Sequence, residues 1–417
     1  MKPLLAMSAL LIIFGLLFSS LTLFAQDDSL YSFEVEEFTK KTWEWKSELT
    51  VAGASKTFNQ DSVLYPFKFQ QDQQTKAQDL SLQIPLESRW DWEWSRLYFV
   101  GEFRITGSSL SDTIEQTAVL QEAYWQLSTL DPHSIESGKR LLRWGKGYAF
   151  NPVALLERSK DPENPEAARE GLWMVQGILI PGTLSGLDSN SLTLVYLPVR
   201  SGINGDYQAN LEQEDIWGLK LSALLGTTDF DLYLTRWSEK AETDWGFDFA
   251  SNLSSNFEMH GEYAEDTDLS NKYTKSLLGI RYLTDNEITW TIEAYHDTSG
   301  WTKDESTEIY KTIENASAVA AKTALTELQS KQIVSQDYAY VKASLKEPFD
   351  WLYFTPSLTW LGNLADQSFN VITQLNYAPV TDWSFQLSWQ QLSGDAYTQY
   401  GENLLGNKLE LKTNYSF

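Results

Sequence analysis

The chain has 417 residues and carries 57 acidic against 32 basic side chains, a formal charge of −25 at pH 7. That balance excludes nucleic acid as a partner, because neutralising phosphates requires a basic surface. There is no cysteine, which removes disulfides, thiolate metal sites and a lipidated anchor, and suits passage through an oxidising compartment.

Lys2 precedes an almost wholly apolar run, Leu4 to Leu17, and residues 19–25 are smaller and more polar. This pattern predicts a signal peptide over residues 1–25, cleaved before Gln26, followed by a periplasmic segment over 26–41. No later run of 18 apolar residues occurs, so no helix is expected to span a membrane. A periplasmic, a secreted or a barrel protein remains.

From residue 42 onward, period two takes over. Ile288, Trp290, Ile292 and Ala294 interleave with Thr289, Thr291, Glu293 and Tyr295; Trp383, Phe385, Leu387 and Trp389 interleave with Ser384, Gln386, Ser388 and Gln390. Each such run reads as a strand with one apolar and one polar face. Segments of about ten alternating residues, repeated to the end of the chain, are the signature of a transmembrane barrel. The reading is all-β: an antiparallel up-and-down barrel over 42–417, with about eighteen strands. Connections alternate long and short, so an even strand number places both termini in the periplasm.

The alternation also assigns the faces. Leu97, Phe99, Gly101, Phe103 and Ile105 are expected to meet lipid, and Arg96, Tyr98, Glu102 and Arg104 the lumen. Arg or Lys at the lipid midplane costs about 2–4 kcal/mol, so the charged row must turn inward. Further expected lumen charges are Glu44, Lys46, Glu48, Glu87, Arg89, Glu122, Lys220, Glu258, Glu262 and Arg281. Trp43, Trp45, Trp90, Trp92, Trp94, Trp351 and Trp383 fall near strand ends, where an aromatic girdle belongs.

Two connections depart from simple loops. Residues 145–170 follow a fifth strand expected over 133–144, and this region mixes Arg140, Arg143, Lys146, Glu157, Arg158, Asp161 and Arg169 with Gly and Pro. Paired rows of such charges select solutes by focusing the field across a lumen; a solvated outer loop is the plainer reading. Residues 298–334 carry Ile309, Ile313, Ala316, Ala320, Ala324 and Leu328 at three- and four-residue spacing, which predicts one helix over about 304–329. It is either a lid on the barrel mouth or a helix resting on the loop surface.

The histidines, His133, His260 and His296, lie far apart in strand order. Glu258, His260 and Glu262 share one face and could bind a metal ion, but such rows are more often hydrogen-bonded polar side chains. No nucleophile, base and orienting group assemble from the spacing. The reading is not an enzyme, with no cofactor and no metal.

Leu409, Leu411, Tyr415 and Phe417 share the apolar face of the last strand. Tyr415-Ser416-Phe417 resembles the closing-strand signal of outer-membrane proteins, which implies recognition by the barrel-assembly machinery. The chain from about 40 to 417 resembles porin-like proteobacterial barrels, and the stretch Lys139-Arg140-Leu141-Leu142-Arg143-Trp144-Gly145-Lys146-Gly147 running into Asn151-Pro152 is similar to alginate-export-like and related uncharacterised barrels. The porin resemblance implies that 145–170, the third outer loop, folds inward as a constriction. It also implies an outer-membrane setting with lipid as a partner, and passive passage or export of small polar or amphipathic solutes, with a possible exporter partner. The alternative is a plugged barrel acting as a structural or export-associated interaction protein.

Overall fold

Alternating side chains become paired strands wherever the apolar face finds a common surface. The computed structural model describes residues 42–417 apart from 70–72, 131, 183–185, 206, 208–213, 239–242, 269–270 and 332. The expected signal peptide and the 26–41 segment lie outside the described residues.

Among the described residues eighteen strands form: β1 (Trp43–Phe58), β2 (Lys76–Asp91), β3 (Ser95–Ser108), β4 (Ile114–Leu130), β5 (His133–Arg140), β6 (Leu172–Leu179), β7 (Ser189–Leu197), β8 (Ile216–Leu225) and β9 (Thr228–Trp237) make one half. The other half is β10 (Thr243–Ser254), β11 (Phe257–Asp268), β12 (Asn271–Leu283), β13 (Ile288–Asp297), β14 (Asp337–Leu345), β15 (Phe354–Asn363), β16 (Phe369–Val380), β17 (Trp383–Ser393) and β18 (Leu405–Ser416). Each strand pairs with its chain neighbours, and β1 also pairs with β18, so the sheet closes on itself. Closure leaves no edge with unpaired amides, the condition for crossing lipid with strands.

The outer face is apolar, with Leu278, Leu358 and Leu411 respectively 57, 51 and 53% exposed. Leu97 and Phe103 of β3 are exposed as well, while Arg96 of the same strand pairs with Asp91 at 2.6 Å and Tyr98 donates to Glu87 at 3.0 Å. Trp43, Trp45, Trp92, Trp94, Trp351 and Trp383 stand exposed around the end that carries the short turns and both ends of the closed sheet; Trp90, expected among them, is only half-buried. The opposite end carries the long connections 59–75, 141–171, 198–215, 298–336 and 394–404.

Three local expectations change. The alternation predicts the first two strands over about 42–53 and 78–90, whereas β1 reaches Phe58 and β2 starts at Lys76, because their polar residues continue to pair in register. β5 stops at Arg140 rather than 144: the N–H of Leu141 and the guanidinium of Arg143 turn to the carboxylate of Glu122, and Arg143 takes a positive φ of 58°. The single expected helix is two, α2 (Lys303–Asn315) and α3 (Ala318–Ser330), after a short α1 (Tyr65–Lys68). Ser317 breaks it by capping α3, accepting from the N–H of Ala320, whereas Thr302 and Glu305 form a capping box on α2. The pair packs Tyr310, Ile313 and Ala324 against Val63, Leu64 and Tyr397 of the neighbouring outer loops.

Candidate functional site: a segment folded into the lumen

Residues 141–171 leave the wall at β5, cross the lumen and return at β6. Glu122 starts the inward turn, accepting from Leu141 at 3.2 Å and Arg143 at 2.7 Å, with Arg140 3.5 Å away and also 2.9 Å from Glu136. Trp144 then packs against Tyr233 of β9, ring centroids 5.0 Å apart, and Lys146 reaches Asp231 on the same strand at 3.0 Å. Asp231 is shared with Lys220 at 3.0 Å, so one buried carboxylate holds two lysines.

The next residues bind the far wall. Glu262 of β11 accepts backbone N–H groups from Lys146, Gly147 and Val153, and Glu293 of β13 accepts those of Tyr148 and Ala149. Phe150 stacks on Tyr295 and approaches Tyr338 of β14. Val153, Leu155 and Leu156 enter a buried cluster with Leu172, Val195, Leu197 and Ile216 from β6, β7 and β8. Each such side chain removed from water contributes about 1.5–3 kcal/mol, so an apolar core lies inside the barrel, between segment and wall.

The returning half carries the exposed edge. Pro162 and Pro165 keep it out of the ladder. The N–H of Lys160 donates to Asn151 at 3.0 Å and its ammonium to the carbonyl of Gly147, tying the two halves together. Glu163 accepts from Gln390 of β17 at 2.8 Å; Glu166 accepts from Tyr148 at 2.6 Å and lies 3.3 Å from Lys342 of β14. Arg169 pairs with Glu157 at 3.2 Å, Glu170 pairs with Lys139, and Arg158 lies 4.0 Å from Glu170. Ser159, Asp161, Asn164, Glu166, Ala167 and Ala168 remain exposed. Burial pushes the carboxyl of Glu163 above its ordinary range, whereas the Tyr148 hydroxyl and Lys342 hold that of Glu166 below it.

Partners of the segment thus lie on β4 to β9 and on β11, β13, β14 and β17. The arc from β18 through β1 to β3 is lined instead by wall pairs: Lys408 and Lys412 flank Glu410 at 3.5 and 3.2 Å, Lys56 meets Asp79 at 2.5 Å, and Arg104 meets Glu102 at 2.7 Å. The two regions meet at β17 and β18, where Gln390, which donates to Glu163, stands opposite Lys408.

The residues singled out from sequence therefore separate into groups. Arg140, Arg143 and Glu122 meet at the root of the segment; Lys146 anchors it to Asp231, and Glu157, Arg158 and Arg169 form pairs within it; Asp161 is exposed on its edge, accepting from the N–H of Glu163 at 2.9 Å. Glu102 and Arg104 form a separate wall pair. Glu258 and Arg281 stand opposite each other on β11 and β12. Glu258 and His260 approach to 3.7 Å, but the three do not converge: His260 turns its Nε2 to Glu293 at 2.9 Å and Glu262 is occupied by amides. Among the described residues no cluster of three His, Asp or Glu side chains could hold a metal ion. Asp231, Tyr233, Glu293 and Tyr295 were not singled out, although each sits on the polar face of an alternating run, which was the available signal.

No family model and no curated protein matches the chain. Solved structures do. A BenF-like porin from Pseudomonas fluorescens Pf-5 aligns with a TM-score of 0.56 at 9% identity, covering 90% of this chain and 98% of that one. The Pseudomonas aeruginosa proteins OccK5 (OpdH) and OpdQ give TM-scores of 0.52 and 0.51, both at 8% identity, covering 90 and 91% of this chain and 98 and 99% of theirs. The chain has the fold of the outer-membrane porins. In this porin fold the strand count and the closure are shared architecture, while identity near one residue in ten leaves the lumen chemistry specific to this chain.

Proposed function

We propose that the protein is a porin-like channel of a Gram-negative outer membrane that passes small polar solutes passively, with no bound cofactor. The observation that carries it is the segment 141–171: anchored to the wall through β4, β9, β11, β13 and β17, it still leaves a charged edge, with Asp161 and Glu166, exposed inside the barrel. A lumen meant only to be filled would bury that edge as it buries Val153 and Leu156. Exposed acids beside lysine–carboxylate pairs on the wall orient dipolar solutes and focus the field in the opening. In this reading the long loops face outside, the short turns and both termini face the periplasm, the Trp-rich rim contacts lipid, and β18 ending at Phe417 is what the barrel-assembly machinery reads. The narrower likeness to alginate-export-like barrels, and an exporter partner with it, rests on the Lys139–Gly147 stretch alone.

One observation favours a plugged barrel instead. The α2–α3 pair and the loop bearing Tyr397 pack together over the outer mouth, with Tyr397 donating to Glu314 at 2.6 Å. Planar-bilayer recording separates the two readings. Discrete conductance steps from the intact chain support the channel; silence from both the intact chain and one lacking Lys303–Ser330 overturns it.

A further inference from the structure

Between Lys146 and Val153 the inward segment is gripped through its backbone by two carboxylates. Glu262 accepts the N–H groups of Lys146 at 2.6 Å and Gly147 at 2.5 Å on one oxygen, and that of Val153 at 3.2 Å on the other. Glu293 accepts from Tyr148 and, at 2.8 Å, from Ala149, while its Oε1 lies 2.9 Å from His260 Nε2. Both are buried, 3 and 0% exposed; Lys160 acts on them from a distance, without a direct ion pair to either. A buried carboxylate with no cation bonded to it is costly unless hydrogen bonds replace its water. Here five amides do so, and bonds to an ionised acceptor are roughly twice as strong as neutral ones.

The sequence around the grip is shaped to it. Gly145 has φ +95°, and a Cβ there would lie 2.8 Å from an oxygen of Glu262; a Cβ on Gly147 would lie 2.3 Å from the carbonyl oxygen of Phe150. The Gly145-Lys146-Gly147 motif is thus the form of backbone that can close on a carboxylate. The gripped residues are then coupled to the exposed edge, through Lys160 on the Gly147 carbonyl and on Asn151.

Resting on the channel reading above, we propose that Glu262 and Glu293 are positioning residues: by clamping residues 146–153 to β11 and β13 they set how far Asp161 and Glu166 project into the passage, and so fix its width and ion preference. Neither carboxylate faces the passage, so their effect on permeation runs through the segment.

Single-channel recording of Glu262→Gln, Glu293→Gln and the double variant tests this, with heat-modifiable gel mobility reporting the folded barrel. A glutamine turns one acceptor oxygen into a donor against an N–H. The double variant is expected to raise conductance about twofold and to lower the preference for cations under a salt gradient, as the acidic edge swings away. Tethering that edge, with Glu163→Cys and Gln390→Cys joined by a short bifunctional thiol reagent, is expected to restore the values of the same tethered pair built beside intact Glu262 and Glu293; the natural chain has no cysteine to interfere. A folded double variant with unchanged conductance overturns the inference, and so does a change that the tether leaves in place. If the double variant fails to fold, the same readings on Glu293→Gln alone decide it. A silent wild-type barrel overturns the channel reading and this inference together, whereas a conducting wild type beside an unaltered variant overturns only the inference.

Discussion

Phe150 lies flat on Tyr295, ring centroids 4.4 Å apart and planes within 3°, so a residue of the inward segment is stacked on the barrel wall. The two rings belong to one buried cluster that also holds Tyr338, Tyr340 and Tyr400. Replacing Phe150 by Ala removes the stack and leaves a cavity, at a cost of about 3–5 kcal/mol for a buried aromatic. The strands do not depend on it. Phe150→Ala is expected to keep a heat-modifiable barrel but to expose the segment, so that trypsin added from outside cuts after Lys160 or Arg169. A variant as resistant as the wild type would show that the stack does not hold the segment in place.

The two acids of the returning half respond to pH in opposite ways. Glu163, its carboxyl raised by burial, takes up a proton while the pH is still above the ordinary carboxyl range. Its neutral form suits the folded state, so its seating is strengthened as the pH falls through that range and weakened as the pH rises past its own raised value. Glu166 is lowered by the Tyr148 hydroxyl and by Lys342; it stays ionised until the pH drops below the ordinary range, and only there is its contribution lost. Cation preference is therefore expected to fall in two stages on acidification. Glu163→Gln should erase the milder stage and Glu166→Gln the more acidic one. Reversal potentials recorded across a pH series check this; one stage common to all three proteins would refute it.

What was legible in the sequence is what local periodicity encodes. Strand number, facing and the loop alternation follow from a polar and an apolar set repeating every two residues, and Leu97 against Arg96 shows it within three residues. The inward segment was implied by the porin resemblance, the residues themselves fitting a solvated outer loop equally, and its anchors were not legible at all. Glu293 and Asp231 sit far from 141–171 in sequence, and nothing in an alternating strand says which inward carboxylate will meet a backbone from elsewhere. The end of β5 was missed for a related reason: Leu141 and Leu142 continue a strand-like pattern, and only the tertiary bond to Glu122 turns the chain. The break at Ser317 was a local signal, a cap residue inside an apolar repeat, outweighed by the regularity of the alanines.

The barrel seam makes the terminal residue a test of closure. The N–H of Phe417 donates to the carbonyl of Ser47 at 3.1 Å, the N–H of Ser47 returns the bond at 3.4 Å, and the Phe417 ring meets Trp45 edge-on at 6.2 Å. Deleting Phe417 removes both bonds and the ring contact at the place where β18 joins β1. Two backbone bonds contribute about 1–3 kcal/mol, small beside a whole barrel, so a barrel once formed should survive. The expected loss is in assembly: several-fold less heat-modifiable protein in the membrane fraction, with normal stability in what is recovered. Equal yields for both chains would remove Phe417 from the closing step.

Above the passage, the α2–α3 pair depends on packing for its existence. Each helix has 13 residues, a length that is marginal in water without a partner. Tyr310 and Ile313 are buried, and they tie the pair to Val63, Leu64 and Tyr397 on two other outer loops. Tyr310→Ala removes the largest of these contacts, with a cost of about 3–5 kcal/mol to docking, comparable to loss of a buried Phe. The pair should detach as a unit, because the α2 capping box is local and remains. If it caps the mouth, detachment lengthens openings and removes slow closures, with conductance per step unchanged because the constriction below is untouched. A record in which step size changes and closures persist would place the pair elsewhere than over the path of the solute.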